Sequence, residues 1–262
     1  MQSVLERITP VVLTYNEEEN IGRTLRCLRW AKAVVVVDSE STDKTETIAA
    51  SFCNVRFVKR KFDNHARQWN FAIHETGINT DWILALDADY VVSDALLTEI
   101  EQLNVKPGVN GYEANFTYRL LGADLRGTVY PPVTMLYRRA FASYHQCGHT
   151  QRLVLAGEVR RLKNTLGHDD RKPVSRWLRA QQAYAKLEAD YLTSVAPARL
   201  RWIDRLRLMG WPAPFLAFVY VMLAKRCVFD GRPGLLYGLQ RMLAEAMIAI
   251  EINDRALRAK DN

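Results

Sequence analysis

Trp82-Ile83-Leu84-Ala85-Leu86-Asp87-Ala88-Asp89-Tyr90 is an apolar run of strand length that ends in two carboxylates one residue apart. In a strand, residues i and i+2 point to the same face. Asp87 and Asp89 are therefore expected to project together from the carboxyl end if the chain stays extended. In open α/β sheets that edge is where ligands bind. Two like charges so close repel unless a cation or a set of donors neutralises them. A hard divalent ion bridging phosphate oxygens meets that need. The same pair also suits a cap for the next helix, which Ser93-Asp94 opens. Asp-x-Asp alone leaves both readings standing.

The chain before this stretch repeats one pattern. Ile8 to Leu13 is a β-branched run followed by Thr14-Tyr15-Asn16-Glu17-Glu18-Glu19-Asn20, and Ile21, Leu25 and Leu28 then fall at helical spacing. Ala33-Val34-Val35-Val36-Val37-Asp38 reads as a strand buried on both faces, ending in an acid and the cap-rich Ser39-Glu40-Ser41-Thr42-Asp43. Thr45 to Ser51 reads as a helix, Val55 to Val58 as a short strand, and Ala66 to Glu75 as a helix. Alternating strands and helices predict a doubly wound, parallel sheet. Three strands then end in polar loops at one edge: Thr14 to Glu17, Asp38-Ser39, and Asp87 to Asp89. The loop after the first strand holds no glycine, so neither the Gly-x-Gly-x-x-Gly dinucleotide cradle nor a P-loop is present. A nucleotide here must be held by side chains and a metal.

Charge divides the chain. Residues 1–150 carry 16 Lys+Arg against 18 Asp+Glu, while residues 151–262 carry 20 against 11. The basic excess of the later part suits nucleic acid, anionic lipid or phosphorylated substrates. With 262 residues, 48% of them hydrophobic, the chain is long enough for one α/β domain and an appendage. Cys27, Cys53, Cys147 and Cys227 are scattered and give neither a zinc motif nor a disulfide framework. The first residues lack the apolar core of a signal peptide, so a reducing, cytoplasmic location is the default expectation.

Val12-Leu13-Thr14-Tyr15-Asn16-Glu17-Glu18-Glu19-Asn20-Ile21, Val37-Asp38-Ser39-Glu40-Ser41-Thr42-Asp43 and Leu86-Asp87-Ala88-Asp89 together resemble family 2 glycosyltransferases of the GT-A fold. Phe62-Asp63-Asn64-His65-Ala66-Arg67-Gln68-Trp69-Asn70-Phe71-Ala72 resembles the family's donor-site helix. The resemblance implies an α/β fold with a mixed, mainly parallel sheet. It divides the chain into a GT-A domain over 1–172 (donor half 1–105, acceptor half 106–172) and a helical, membrane-associating region over 173–262. It also implies roles. Thr14, Tyr15, Glu17 and Ser39 would border the nucleobase and ribose, and Asp38 would accept a hydrogen bond from the base, favouring a uracil N–H. Arg67, Gln68 and Asn70 would face the nucleotide, Asp87 would contact ribose or metal, and Asp89 would bind Mg²⁺ or Mn²⁺. Asp38 also fits a helix cap and Arg67 a solvated helix charge. Glu18 and Glu19 read as residues that stabilise a helix dipole.

Tyr130 to Arg139, Gly148-His149-Thr150-Gln151-Arg152 and Leu166-Gly167-His168-Asp169-Asp170-Arg171-Lys172 resemble a bacterial subgroup that builds lipopolysaccharide core or other lipid-linked glycans. Inverting transfer needs a base for the acceptor hydroxyl and stabilisation of the leaving diphosphate. His168 would join Asp89 on the metal, since imidazole and carboxylate both bind ions such as Mn²⁺. Arg171 and Lys172 would neutralise diphosphate charge. Many family members carry an acidic base in the acceptor loop, but residues 145–151 contain no carboxylate. The base is therefore His149, Asp169 or Asp170, with Asp169 slightly favoured; His65, His74 and His145 read as loop or surface residues.

Arg176 to Thr193 reads as a helix and Arg199 to Leu208 as a basic amphipathic one. Leu208 to Ala224 is uncharged for 17 residues but contains Pro212 and Pro214. That is short for a bilayer span of about 20 residues, so an interfacial or re-entrant segment is expected. Lys225-Arg226, a turn over Phe229 to Gly234 and an apolar helix from Leu235 to Ile252 follow. Cationic flanks beside apolar faces suit an anionic membrane surface on the cytoplasmic side. The same helices would also serve a hairpin packed on its own domain or self-association. The expectation is a glycosyltransferase moving a sugar from a nucleotide sugar, a UDP-sugar by the resemblance, to a lipid-linked or lipopolysaccharide acceptor. A non-catalytic membrane adaptor with the same fold is the alternative. A nucleotidyltransferase fits less well, because its glycine-rich basic loop is replaced by an acidic one. Nucleic acid is not an expected partner, since the basic residues sit beside apolar helices.

Overall fold

The computed structural model describes residues 3–147 and 150–259. Two compact units make up the chain, one of residues up to 122 with 130–171, the other of 123–129 with 172 onward.

The first unit contains strands β1 (Ile8–Thr14), β2 (Val34–Asp38), β3 (Val55–Lys59), β4 (Trp82–Asp87), β5 (Tyr90–Val91), β6 (Val109–Ala114) and β7 (Phe116–Leu120). After the two-residue β8 (Ala123–Asp124) of the second unit come β9 (Val133–Arg138), β10 (Ala142–Cys147), β11 (Thr150–Leu155), β12 (Glu158–Arg161) and β13 (Leu166–His168). Its helices are α1 (Ile21–Arg26), α2 (Thr45–Ala50), α3 (His65–His74) and α4 (Asp94–Glu101). Seven strands form one sheet in the order β12-β6-β9-β4-β1-β2-β3. Pairings β4–β1, β1–β2, β2–β3 and β12–β6 are parallel, while β9 runs antiparallel to β4 and β6. The sheet is mixed and mainly parallel, as the resemblance implies.

The valines of β2 show why the run is a central strand. Val34 and Val36 enter the core layer containing Leu25, Leu28 and Leu96. Val35 and Val37 enter the opposite layer, with Trp69, Ile73 and Tyr137. Period-2 alternation thus buries every residue of the strand, and each such side chain is worth roughly 1.5–3 kcal/mol. Helices start where caps are supplied: Asn64 Oδ1 accepts from the Arg67 amide and Ser93 Oγ from the Leu96 amide. His65 and His74 are the first and last residues of α3 and lie at the surface, as expected.

A correction concerns the two carboxylates. β4 stops at Asp87, and Ala88-Asp89 forms a turn into β5. The extended geometry that would align Asp87 and Asp89 is therefore absent. Thr24 of α1 fixes the turn, its hydroxyl lying 2.6 Å from the Ala88 carbonyl and 2.8 Å from that of Tyr90.

In the second unit, α5 (Val174–Ser194), α6 (Trp202–Leu208), α7 (Pro212–Val219) and α8 (Gly231–Arg258) follow one another, with a π-turn over Tyr220–Ala224 and a 3₁₀ turn over Cys227–Asp230. Ala185, Ala189 and Leu192 of α5 pack with Ile248 and Ile252 of α8 and with Leu200. Arg207 joins α6 to α8 and α5 through Glu245 (Nε–Oε2 2.8 Å) and Glu188 (3.1 Å). α8 begins four residues before the expected start, replacing the expected turn. Pro233 falls in its first turn, where the missing N–H would be unpaired anyway. A Cβ at Gly234 would lie 1.9 Å from the Cys227 carbonyl oxygen, so only glycine lets the 3₁₀ turn fold back there. No single helix among the described residues is long and apolar enough to cross a membrane. The segment Pro212–Ala224 meets the one starting at Cys227 with a bend of 74°.

Candidate active site

Register brings the polar strand ends level. Thr14 pairs with Asp38, and Leu13 with Asp87, so β1, β2 and β4 end within one residue of each other. Chain order reverses across β1, with β4 on one side and β2 on the other, which is the switch point where open sheets bind ligands.

The loops after β1 and β2 are sewn together by side chains. Asn16 adopts φ 53°, donates its amide to Ser41 Oγ (2.7 Å) and accepts the Thr42 amide on Oδ1 (2.7 Å). The Glu17 amide donates to Thr45 Oγ1 (2.7 Å), and the Ser39 amide donates to the Thr14 carbonyl (2.9 Å). Asp38 lies inside this seam. Its Oδ2 accepts the Ser41 amide (2.8 Å), its Oδ1 accepts the Ser41 hydroxyl (2.5 Å), and it is 0% exposed. Asp38 thus caps its own loop, both carboxylate oxygens being engaged by Ser41. Thr14 Oγ1 is buried without a hydrogen-bond partner among the described residues, while the Tyr15 ring is exposed. Glu18 and Asp43 accept backbone amides at the helix starts, Lys44 N at 3.2 Å and Thr45 N at 2.9 Å respectively.

Of the three α3 residues, only Gln68 touches this edge. It is buried, donates to Ser39 Oγ (3.2 Å) and accepts from Arg60 Nη1 (2.5 Å). Arg67 has a side chain 72% exposed, paired with Asp63 at 3.5 Å. Asn70 turns to the β10–β11 hairpin instead, donating to the Tyr144 carbonyl (2.8 Å) and accepting its amide (2.9 Å). Arg67 thus carries a largely solvated charge beside Asp63, and Asn70 clamps the β10 backbone. Arg60, which the sequence reading missed, lies just beyond β3, where it pairs with Asp63 (2.9 Å) and covers the Phe71 ring at 5.2 Å.

Asp89 meets His168 through a second, smaller sheet. β13 pairs antiparallel with β5 and parallel with β7, placing His168 opposite Tyr90 and Tyr118. A Cβ on Gly167 would lie 3.0 Å from the Val91 carbonyl oxygen, so glycine permits the close approach. His168 Nε2 then stands 3.3 Å from Asp89 Oδ2, both side chains largely buried. Tyr90, Phe116, Tyr118 and Tyr130 surround the imidazole, ring centroids 4.9–5.8 Å away. Burial pulls the His168 imidazolium down, but Asp89, with Asp87 and Asp170 behind it, outweighs burial and the net shift is upward. Tyr90 is driven well above its ordinary range by burial, by both carboxylates and by its hydrogen bond to Asp87. Asp89 pairs with the imidazole directly, while Asp87 and Asp170 act on it through their charge.

The residues fit a divalent ion. Two ligands at about 2.1 Å and right angles on one ion stand roughly 3.0 Å apart, near the separation observed here. His168 Nδ1 is buried with no hydrogen-bond partner among the described residues, which leaves the ring orientation to the aromatic cage.

The following residues are anchored by the start of α1. Asn20 is fully buried, donates to Glu17 Oε2 and Asp170 Oδ1 (both 2.8 Å), and accepts from Arg23 (2.8 Å) and from the Arg171 amide (3.0 Å). Arg23 also donates to the Asp169 carbonyl (2.7 Å). Asp169 donates its amide to the Asp89 carbonyl (3.0 Å) and gives its carboxylate to Arg171 (3.0 Å) and Arg23 (3.6 Å); it is 2% exposed. Asp169, the favoured base, is thus a buried partner of Arg171 and Arg23. Asp170 is partly exposed and oriented by Asn20. His149 lies outside the described residues, and Lys172 opens the longer segment of the second unit. Asn20, Arg23, Tyr90 and the aromatic cage were also missed. A tyrosine directly after Asp89 was the one local signal.

Comparison with known proteins gives the family of the chain. The model of glycosyl transferase family 2 matches residues 10–141. An uncharacterized glycosyltransferase of Rickettsia bellii is 36% identical over 146 residues, covering 53% of this chain and 48% of its own. The lipopolysaccharide core biosynthesis glycosyltransferase LpsC of Rhizobium meliloti is 27% identical over 100 residues, 37% of this chain and 36% of that protein. The crystal structure of S. aureus TarS 1-349 in complex with UDP-GlcNAc is 13% identical, covers 96% of this chain and 92% of its own, and has a TM-score of 0.47. The chain spans about half the length of the curated relatives it matches at 30% identity or more.

Proposed function

Since the chain belongs to glycosyl transferase family 2, we propose that it carries out inverting transfer of a sugar from a nucleotide sugar to a lipid-linked or lipopolysaccharide-type glycan, with a divalent ion held by Asp89 and His168. The observation that carries this reading is the 3.3 Å approach of His168 Nε2 to Asp89 Oδ2, with Asp87 and Asp170 close by. The similarity to LpsC, a lipopolysaccharide core biosynthesis glycosyltransferase, supports the acceptor class. A UDP-sugar is the donor implied by the resemblance.

Mg²⁺ or Mn²⁺ bound there would offset the negative charge of the donor diphosphate. Asp87, held by the Tyr90 hydroxyl, is placed to orient the ribose side of the donor. Thr14 Oγ1 offers an unspent donor and Tyr15 an exposed ring for the nucleoside. Asp170 is the base of this proposal. It accepts the proton of the acceptor hydroxyl as that oxygen bonds to the sugar C1 and the bond from C1 to the diphosphate breaks, which inverts the anomeric centre. Asn20 fixes the Asp170 carboxylate for this step. Arg171, its guanidinium partly exposed, supplies positive charge near the leaving group.

A panel of UDP-, GDP- and dTDP-sugars, assayed for slow hydrolysis with Mg²⁺ or Mn²⁺, tests the reading. Divalent-dependent hydrolysis of one donor class that Asp89→Asn abolishes is expected. Hydrolysis unaffected by chelator and by that substitution would overturn it.

A further inference from the structure

The second unit carries an apolar helix face left exposed among the described residues. Phe218 and Met222 of the α7 segment point at α8, where a Cβ on Gly238 would come 3.2 Å from the Phe218 ring and 2.9 Å from Met222 Sδ. Glycine at 238 therefore lets the two helices touch on that side. The opposite side holds Phe215, Leu216, Val219, Tyr220 and Leu223, at i, i+1, i+4, i+5 and i+8, all exposed. Phe215 is 63% exposed and Leu223 66%. A helix apolar on both sides belongs in a core or in lipid, not against water. Trp211, 67% exposed just before α7, and Phe229, 70% exposed beyond the bend, extend the apolar surface at both ends.

The rim of this face is cationic. The Lys225 ammonium lies 5.4 Å from the Tyr220 ring centre, and Arg226 and Arg232 are exposed beside the 74° bend. From 208 to 224 the chain contains no charge of either sign. Buried apolar ring and methyl groups with lysine and arginine at headgroup level is the chemistry of an interfacial segment. An anionic surface adds electrostatic attraction for each flanking cation.

We infer that the exposed face of α7, from Trp211 through the bend to Phe229, is a docking surface for an anionic lipid bilayer, on which this segment lies without crossing. This goes beyond the transfer reaction and does not depend on it. On the cytoplasmic side of a membrane, where anionic lipids are concentrated, it would hold the chain near lipid-linked glycans.

The test uses the full chain and vesicles of phosphatidylcholine, with or without phosphatidylglycerol. Co-sedimentation with the anionic vesicles and quenching of tryptophan fluorescence by brominated lipid are expected. Phe215→Ser with Leu223→Ser should weaken vesicle binding on the order of tenfold or more, at unchanged melting temperature and unchanged Mn²⁺ binding. Arg226→Glu with Arg232→Glu should weaken binding to the anionic vesicles only, as added salt should in the parent chain. The inference is overturned if the parent chain ignores anionic vesicles or if the serine variant binds them equally. It is also overturned if the parent chain is a dimer that avoids vesicles and the serine variant is a monomer, because a second copy would then cover the face.

Discussion

His168 Nε2 lies 3.3 Å from Asp89 Oδ2 across the β5–β13 pairing, one residue on each side of a two-strand junction. Neither strand exceeds three residues, so backbone pairing supplies little stability by itself. The Thr24 hydroxyl bonds, Gly167 and the aromatic ring cage fix the geometry instead.

This pair should bind the ion jointly. His168→Ala and Asp89→Asn should each lower Mn²⁺ affinity, read by electron paramagnetic resonance, and turnover on the order of 100-fold or more. Equal Mn²⁺ binding in the two variants and the parent would remove the pair from the site.

Asn20 bonds to two carboxylates, a guanidinium and a backbone amide while fully buried. Asn20→Ala leaves these groups without their partner and should cost about 3 kcal/mol in urea unfolding. Asn20→Asp should not restore activity, because a third carboxylate beside Glu17 and Asp170 repels both.

Asp38 and Ser41 should behave as one structural unit. Asp38→Ala should destabilise by roughly 2 kcal/mol and Ser41→Ala by about 1 kcal/mol, with the double variant well short of additive. A large fall in nucleotide affinity for Asp38→Asn at unchanged stability would restore the base contact.

Asp204 is buried in α6, and its hydrogen bond from Arg201, which outweighs burial, holds its carboxyl below the usual range. A depressed carboxyl contributes stability that is present above the unfolded value of about 3.9 and is lost as pH falls through the folded value. Acid unfolding of the second unit, followed by tryptophan fluorescence, should therefore show a step below that pH. Asp204→Asn should lower stability at neutral pH and flatten this step.

The strands β1, β2 and β4 were readable because β-branched runs of the right length admit few other structures, and each ends in a polar loop. The turn at Ala88-Asp89 was not, because its cause is the Thr24 hydroxyl, distant in sequence. Short strands such as β13 carry no periodicity to read. Asp38, Asp169 and Asn70 were the right residue types at the right strand ends and helix faces. Their partners in the fold, Ser41, Arg23 with Arg171, and the Tyr144 backbone, were not legible in those motifs. Asp89 and His168 meet because the β5–β13 pairing joins the two short motifs that carry them. Asn20 was hidden, since an asparagine before a helix reads as a cap, and its side-chain cap is not made here.

The seam between α1 and residues 169–171 sets a limit on dissection. The region that matches family 2 ends at residue 141, while His168, Asp170 and Arg171 lie beyond it. A fragment cut at that boundary would keep Asp87 and Asp89 but strip Asn20 of Asp170 and the Arg171 amide, Arg23 of Asp169, and Asp89 of His168. Swapping this matched region between relatives would therefore transplant one side of these contacts without the other. Chimeras should exchange residues 8–171 as one piece.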